Sequence, residues 1–147
     1  MKRLLFIASL LKGYNIVIDI GTDHGLVLKK ALDLKYIKKG IACDNKIKPL
    51  QKAFENLKNY PVKFYLSDGF DKINDDFDLA LICGMGPHTI SQILQRSPYK
   101  KKYFLLGCQG KINYLIDWLN NNNFDILEYY NFYDKFSYIF LKVFQKG

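Results

Sequence analysis

Cysteine, histidine, tryptophan and proline are all scarce in this chain of 147 residues. The cysteines are three, Cys43, Cys83 and Cys108. Their odd number and the lack of any C-x-x-C spacing exclude a disulfide framework and a structural zinc site. A reducing, cytoplasmic compartment fits that usage. The histidines are two, His24 and His88, with no cluster around either, so no metal site is expected. Long apolar runs are missing too. Lys2-Arg3 followed by Leu4 to Leu11 imitates a signal peptide, but no small-x-small cleavage site follows and a strand begins at Ile16. The stretch reads as an opening helix, and no other run could span a bilayer, so no membrane partner is expected. Repeats, low-complexity tracts and linkers are absent, which predicts one domain over residues 1–147.

Basic residues are plentiful. Lys and Arg total 22 against 14 Asp and Glu, a formal charge of +8. Such a surplus favours polyanions, and it equally serves solubility. Hydrophobic residues make up 49%, enough for a folded core.

Patterning predicts strands alternating with helices. Ile16–Ile20 is a β-branched run closed by Gly21, which reads as a buried strand. Further strands are expected at 41–43, 62–66, 77–83 and 103–106. Helical spacing marks 26–35, 47–57, 89–94 and 112–121. Residues 124–133 and 136–144 read as two strands joined tightly enough to form an antiparallel hairpin. This pattern predicts an α/β fold: a mainly parallel seven-stranded sheet, helices on both faces, and a terminal antiparallel β-hairpin. The ligand crevice of such a sheet lies at the carboxyl ends of its strands, where strand order reverses.

The residues at those strand ends carry the candidate chemistry. The first strand runs into Asp19-Ile-Gly-Thr-Asp-His-Gly25. The glycine spacing, Gly21-x-x-x-Gly25, departs from the dinucleotide fingerprint and disfavours a nicotinamide oxidoreductase. It suits a loop under a nucleoside with an amino-acid tail, with Asp19 placed to meet an ammonium group. Asp44 follows the second strand about 20 residues further on, where a carboxylate accepts from ribose hydroxyls. Asp44 or Asn45 would also suit a helix N-cap; the agreement of loop and acid in spacing favours ribose. Ser67-Asp68-Gly69 follows the third strand, and Asp68 could accept from an adenine amino group or simply form a turn. Gly84-Met85-Gly86-Pro87 follows the fourth. Its flexible backbone would let a flat substrate approach beside Met85, unless Met85 is only a core side chain. His24 reads as a neighbouring hydrogen-bonder more than a base.

These motifs resemble, in order and spacing, those of the bacterial tRNA (adenine-22-N1) methyltransferases: Asp19-Ile-Gly-Thr-Asp-His24, Ile41-Ala-Cys-Asp-Asn45 with Pro49, Ser67-Asp-Gly69, Cys83-Gly-Met-Gly86, then Gln109, Leu115, Trp118-Leu119 and the terminal hairpin. The resemblance covers essentially the whole chain. It implies a Rossmann-like methyltransferase fold using S-adenosylmethionine, with tRNA as partner and N1 of an adenine as target. It implies donor contacts from Asp19, Gly21, Asp23, His24, Asp44, Asn45, Ser67, Asp68, Gly69, Gly84 and Gly86. Asp23 and Met85 become the candidate catalytic residues, because the family's Ser/Thr-Asp-His acid falls on Asp23 and places it near the target base.

Departures from the family pattern are Pro87 in place of a glycine, Leu26 and Leu28 after Asp-His, and Gln109 standing without its Pro-Asn. The sequence ends at Gly147, without the coiled-coil domain with which the family grips tRNA, so weak tRNA binding is expected. Other readings are methyl transfer to a different RNA base or small molecule, and an inactive donor-binding module. Lys29, Lys30, Lys46, Lys48 and Lys100 to Lys102 are expected near the ligand edge, where they would meet phosphates.

Overall fold

The computed structural model describes residues 2–147. Helix α1 (Lys2–Ser9) precedes an alternation of β1 (Ile16–Ile20), α2 (Leu26–Asp33), β2 (Lys39–Asp44), α3 (Ile47–Leu57) and β3 (Val62–Leu66). Then come β4 (Leu79–Met85), α4 (Pro87–Arg96), β5 (Tyr103–Cys108), α5 (Ile112–Asn121), β6 (Phe124–Asp134) and β7 (Phe136–Gln145). The seven strands form one sheet in the order β3-β2-β1-β4-β5-β7-β6. β1 to β5 pair in parallel, and β7 lies antiparallel between β5 and β6. The expected α/β sheet with its terminal hairpin is what forms.

Hydrophobic patterning explains the layering. The central strands are buried on both faces, so β1 and β4 read as continuous apolar runs. One face carries α1, α2 and α3 over Val17, Leu79, Leu81 and Leu105. The other carries α4, α5 and the 70–77 segment over Ile18, Ala80, Ile82 and Phe104. Strand order reverses between β1 and β4, so the crevice opens at the carboxyl ends of those two strands.

Several boundaries differ from the patterning by one or two residues, both ends of β4 among them. β4 begins at Leu79 rather than at Phe77, because Phe77 is a buried core aromatic of the 70–77 segment, stacked on Phe70. Its N–H bonds the Asp76 carboxylate instead of a neighbouring strand. β4 also runs on to Met85, with an irregularity between Cys83 and Met85. The terminal hairpin turns at Lys135, whose φ of 68° is left-handed. It outreaches its neighbour: β5–β7 pairing ends at Gly107–Phe140, while β6–β7 pairing continues to Asp134–Phe136. Residues 136–139 therefore stand beyond β5, at the crevice end of the sheet.

Gly107 is needed where β5 passes under the hairpin. A Cβ there would collide with the Cys83 sulfur and come within 2.9 Å of the Phe140 ring. Both neighbours belong to the packed interior, so Gly107→Ala should lower stability by about 1–3 kcal/mol through overpacking. Urea denaturation of variant and wild type measures the difference.

Candidate functional site

The loop between β1 and α2 is fastened to the end of β2. The Cys43 carbonyl accepts from the N–H groups of both Gly21 (2.9 Å) and Thr22 (2.8 Å). One Asp44 carboxylate oxygen accepts from the Asp23 N–H at 2.9 Å, and the other from the Lys46 N–H at 3.0 Å. Held this way, the chain passes Gly21 and Gly25 with φ of 76° and 74°, and Asp23 with φ of 55°. Gly21 leaves room that the Met85 methyl fills, and Gly25 lets α2 pack on α3, where a Cβ would lie 2.6 Å from Leu57.

Asp19 and Asp44 converge in this frame. Both are buried, at 4% and 7% exposure. Asp19 accepts from the Thr22 hydroxyl at 3.0 Å. None of the ion pairs among the described residues includes it. Burial raises its pKa to about 7; the Thr22 hydrogen bond opposes the rise, and the nearby Asp44 and Asp23 carboxylates add to it. A buried carboxylate without a cation is costly, and a bound ammonium or sulfonium would relieve it. Asp44 offers the complementary chemistry. A carboxylate has about four acceptor positions. Two are used by backbone N–H groups, which leaves two for a pair of hydroxyls. These residues therefore fit a cationic amino-acid tail next to a ribose.

The N-cap alternative for Asp44 is not what the chain does. Helix α3 is capped at Lys46 with no side-chain capping bond, and Asp44 reaches the Lys46 N–H itself rather than one inside the helix. Asn45 is exposed beside it. Ser67 organises the turn after β3: its hydroxyl donates to the Gly69 carbonyl (2.9 Å) and accepts from the Lys72 N–H (3.0 Å). Gly69, at φ 57°, packs on Ile93. Asp68 is 61% exposed and turned toward Arg96 at 3.4 Å.

A cavity of about 310 Å³ opens between this loop and the far half of the sheet. Asp19, Gly21, Asp23, His24 and Gly84 line it, together with Gly107, Cys108 and Gln109. Asp44, Asn45, Ser67, Asp68, Gly69, Met85 and Gly86 are not among its lining residues. The Asp23 carboxylate is 73% exposed at the rim, with His24 Nε2 at 3.8 Å. Met85 is half-buried against the α4/α5 side of the core, and its carbonyl accepts from the Gln109 N–H at 2.8 Å. Pro87 opens α4 at its first position, where the missing N–H has no consequence.

Two wall residues carried no sequence signal: Arg3 of α1 and Tyr138 of the hairpin overhang both line the cavity. Each is remote in sequence from the loop, and only tertiary packing brings them there. Burial pushes the Cys43 and Cys83 thiols up to about 12, so both stay protonated and serve packing. The described residues include no group of three or more His, Cys, Asp or Glu side chains suited to a metal ion. No described helix is long and apolar enough to cross a membrane. The lysine expectation needs one correction. Lys100 to Lys102 precede β5 and so lie at its amino end, opposite the crevice. There Lys102 is engaged by Asp76 and by the Phe77 carbonyl at 2.7 Å.

A family model describing a methyltransferase domain matches residues 1–140, and the chain belongs to that family. Among solved structures it is similar to TrmK of M. capricolum, determined with the cofactor product S-adenosyl-homocysteine. Identity is 26% over 99% of this chain and 68% of that one, with a TM-score of 0.87. A protein of the NADB-Rossmann superfamily from Streptococcus agalactiae is equally similar, with 26% identity, the same coverage and a TM-score of 0.89. The m1A22 tRNA methyltransferase TrmK of B. subtilis shares the fold at 22% identity, covering 99% of this chain and 66% of that one, with a TM-score of 0.89. The resemblance drawn from the strand-end motifs thus holds at the level of structure. Among curated protein sequences, none matches this chain.

The Asp19 carboxyl yields a sign-definite pH dependence. Its folded pKa lies above its unfolded value of 3.8, so the folded state binds the extra proton. Stability therefore falls as pH rises from about 4 to about 7, and the penalty is fully present above that. Asp19→Asn should remove this slope: near-wild-type stability at pH 4, and a gain of a few kcal/mol at pH 8. Chemical denaturation across that range in both proteins checks it. Asp44→Ala should lower donor affinity by about 1.5–3 kcal/mol, the range for hydrogen bonds to a charged acceptor. It should also lower stability, because two backbone N–H groups lose their partner. Calorimetric titration and denaturation of the one variant read both effects.

Proposed function

We propose that this chain methylates N1 of an adenine in tRNA, position 22 by resemblance. S-adenosylmethionine is the methyl donor. The observation that carries the reading is the arrangement of three acids about the β1–α2 loop: a buried pair, Asp19 and Asp44, in no ion pair among the described residues, and Asp23, exposed at the cavity rim. The buried pair suits the donor's cationic tail and ribose. Asp23 stands at the rim of the cavity that a base would enter, and Asp19 lines the same cavity. The motif match to tRNA adenine methyltransferases selects adenine from among the bases.

When bound, the donor supplies an electrophilic methyl group on a sulfonium. The residues have two tasks. Asp19 and Asp44 hold the donor's ammonium tail and its ribose, so that the protein supplies position rather than activation. Adenine N1 carries an in-plane lone pair and needs no base before it attacks. After methylation the ring is cationic, and the Asp23 carboxylate accepts a hydrogen bond from the amino group and assists loss of one of its protons. His24 Nε2 lies 3.8 Å from that carboxylate. The cavity accommodates a base only after it leaves the RNA stack.

Asp23→Asn should leave fold and donor affinity intact and slow methyl transfer by about 10²-fold or more. Its left-handed φ is one that asparagine tolerates, so the loop should not rearrange. Nucleoside mass spectrometry of tRNA incubated with donor and either protein measures the transfer and identifies the methylated position. Normal turnover by the variant would remove Asp23 from the mechanism. No methylated adenine with the wild type would remove the substrate assignment.

A further inference from the structure

Arg3 is an exposed cation on the cavity wall, and the proposed chemistry gives it no task. Its guanidinium carbon sits 4.6 Å from the centroid of the Tyr138 ring. No carboxylate among the described residues pairs with it. Cys83 lines the same cavity. The mounting is stiff. One helical turn on from Arg3, the Phe6 ring stacks on Phe132 at 4.7 Å and packs on Phe140 at 5.7 Å. Phe132 is in turn the cross-strand partner of Tyr138. Helix α1 and the hairpin overhang therefore form one aromatic-braced wall, with a guanidinium fixed at its cavity side.

An arginine laid on an aromatic ring keeps its N–H edge free, since stacking uses the face of the guanidinium. That edge matches a phosphate in geometry and charge. Next to it the overhang exposes Phe136 at 69% on the same hairpin, and the tip carries Lys135. Exposed aromatics interleaved with cations are a surface for unstacked nucleotides.

We propose that Arg3, held by Tyr138, binds the backbone phosphate of the nucleotide whose base enters the cavity, with Phe136 stacking a neighbouring base. This deepens the RNA-methylation reading and rests on it for the identity of the base. The contact is the substrate-side counterpart of the Asp19–Asp44 donor cradle, and it is made by the methyltransferase domain itself.

The test uses Arg3→Gln, Arg3→Lys and Phe136→Ala, with Lys12→Gln as control. Lys12 also lies over an aromatic ring, that of Tyr36, but is not part of the cavity wall. Binding of a fluorescent single-stranded RNA is followed by anisotropy at several salt concentrations, and donor affinity and thermal stability are measured alongside. A lost phosphate contact should flatten the dependence of log affinity on log salt by about 0.7 for Arg3→Gln. Arg3→Lys keeps a charge but not the planar fork, and should retain most of the slope with weaker binding. Phe136→Ala should weaken binding at every salt concentration without altering the slope. Donor affinity should not move in any of the variants.

An Arg3→Gln slope equal to wild type, or a Lys12→Gln effect as large, overturns the proposal. So does a loss of thermal stability in Arg3→Gln with RNA binding intact, the signature of a brace alone. Absence of RNA binding by the wild type overturns it as well. If the wild type binds RNA through Arg3 yet methylates no adenine in tRNA, the phosphate contact stands and the substrate assignment falls.

Discussion

Everything at the crevice depends on the end of β2. One carbonyl, that of Cys43, and one carboxylate, that of Asp44, take up three successive N–H groups of the β1–α2 loop, those of Gly21, Thr22 and Asp23. A loop that carries a non-glycine residue at positive φ stores strain of about 1 kcal/mol or more. Fixed acceptors on a buried strand hold it in that shape. The same bonds decide what faces the ligand. With the backbone donors turned toward β2, the loop presents the Asp23 side chain to the cavity, which Asp19 at the end of β1 also lines.

Burial sets the character of the donor side. Asp19 is a carboxylate taken out of water with a single hydroxyl as partner, and its neighbours are acidic. A carboxylate buried among acids favours a bound cation, and its burial opposes folding as pH rises toward 7. Asp44 is different. It has partners on both oxygens and still has acceptor capacity, so it holds the loop and keeps positions open for further donors. Asp68, drawn to Arg96 on the α4 side, stands apart from this pair.

The far wall of the cavity is built by another principle. The Asp19–Asp44 side comes from consecutive strand ends and short loops. The opposite wall is an alliance of the first helix with the last hairpin, closed by Phe6, Phe132 and Phe140 and capped by Arg3 on Tyr138. Gly107 allows the hairpin to approach closely enough to make that wall.

The sequence by itself determined the alternation of strands and helices, the terminal hairpin and the acids at the strand ends. These are written in local periodicity and in turn chemistry, which act over a few residues. Its boundaries slipped where a tertiary contact overrode local pattern. Phe77 looks like the start of β4, but the core beside Phe70 claimed its side chain and Asp76 claimed its N–H. Lys100 to Lys102 look like part of a basic ligand edge, but they precede a parallel strand, and parallel pairing sends the two ends of β5 to opposite sides. Only the tertiary structure decided that Asp19 and Asp44 converge while Asp68 turns away, and that Arg3 reaches a cavity whose other wall lies more than a hundred residues later. The physical reason is the same in each case. Local sequence sets backbone preference, whereas burial and charge pairing depend on which distant groups the fold places beside one another.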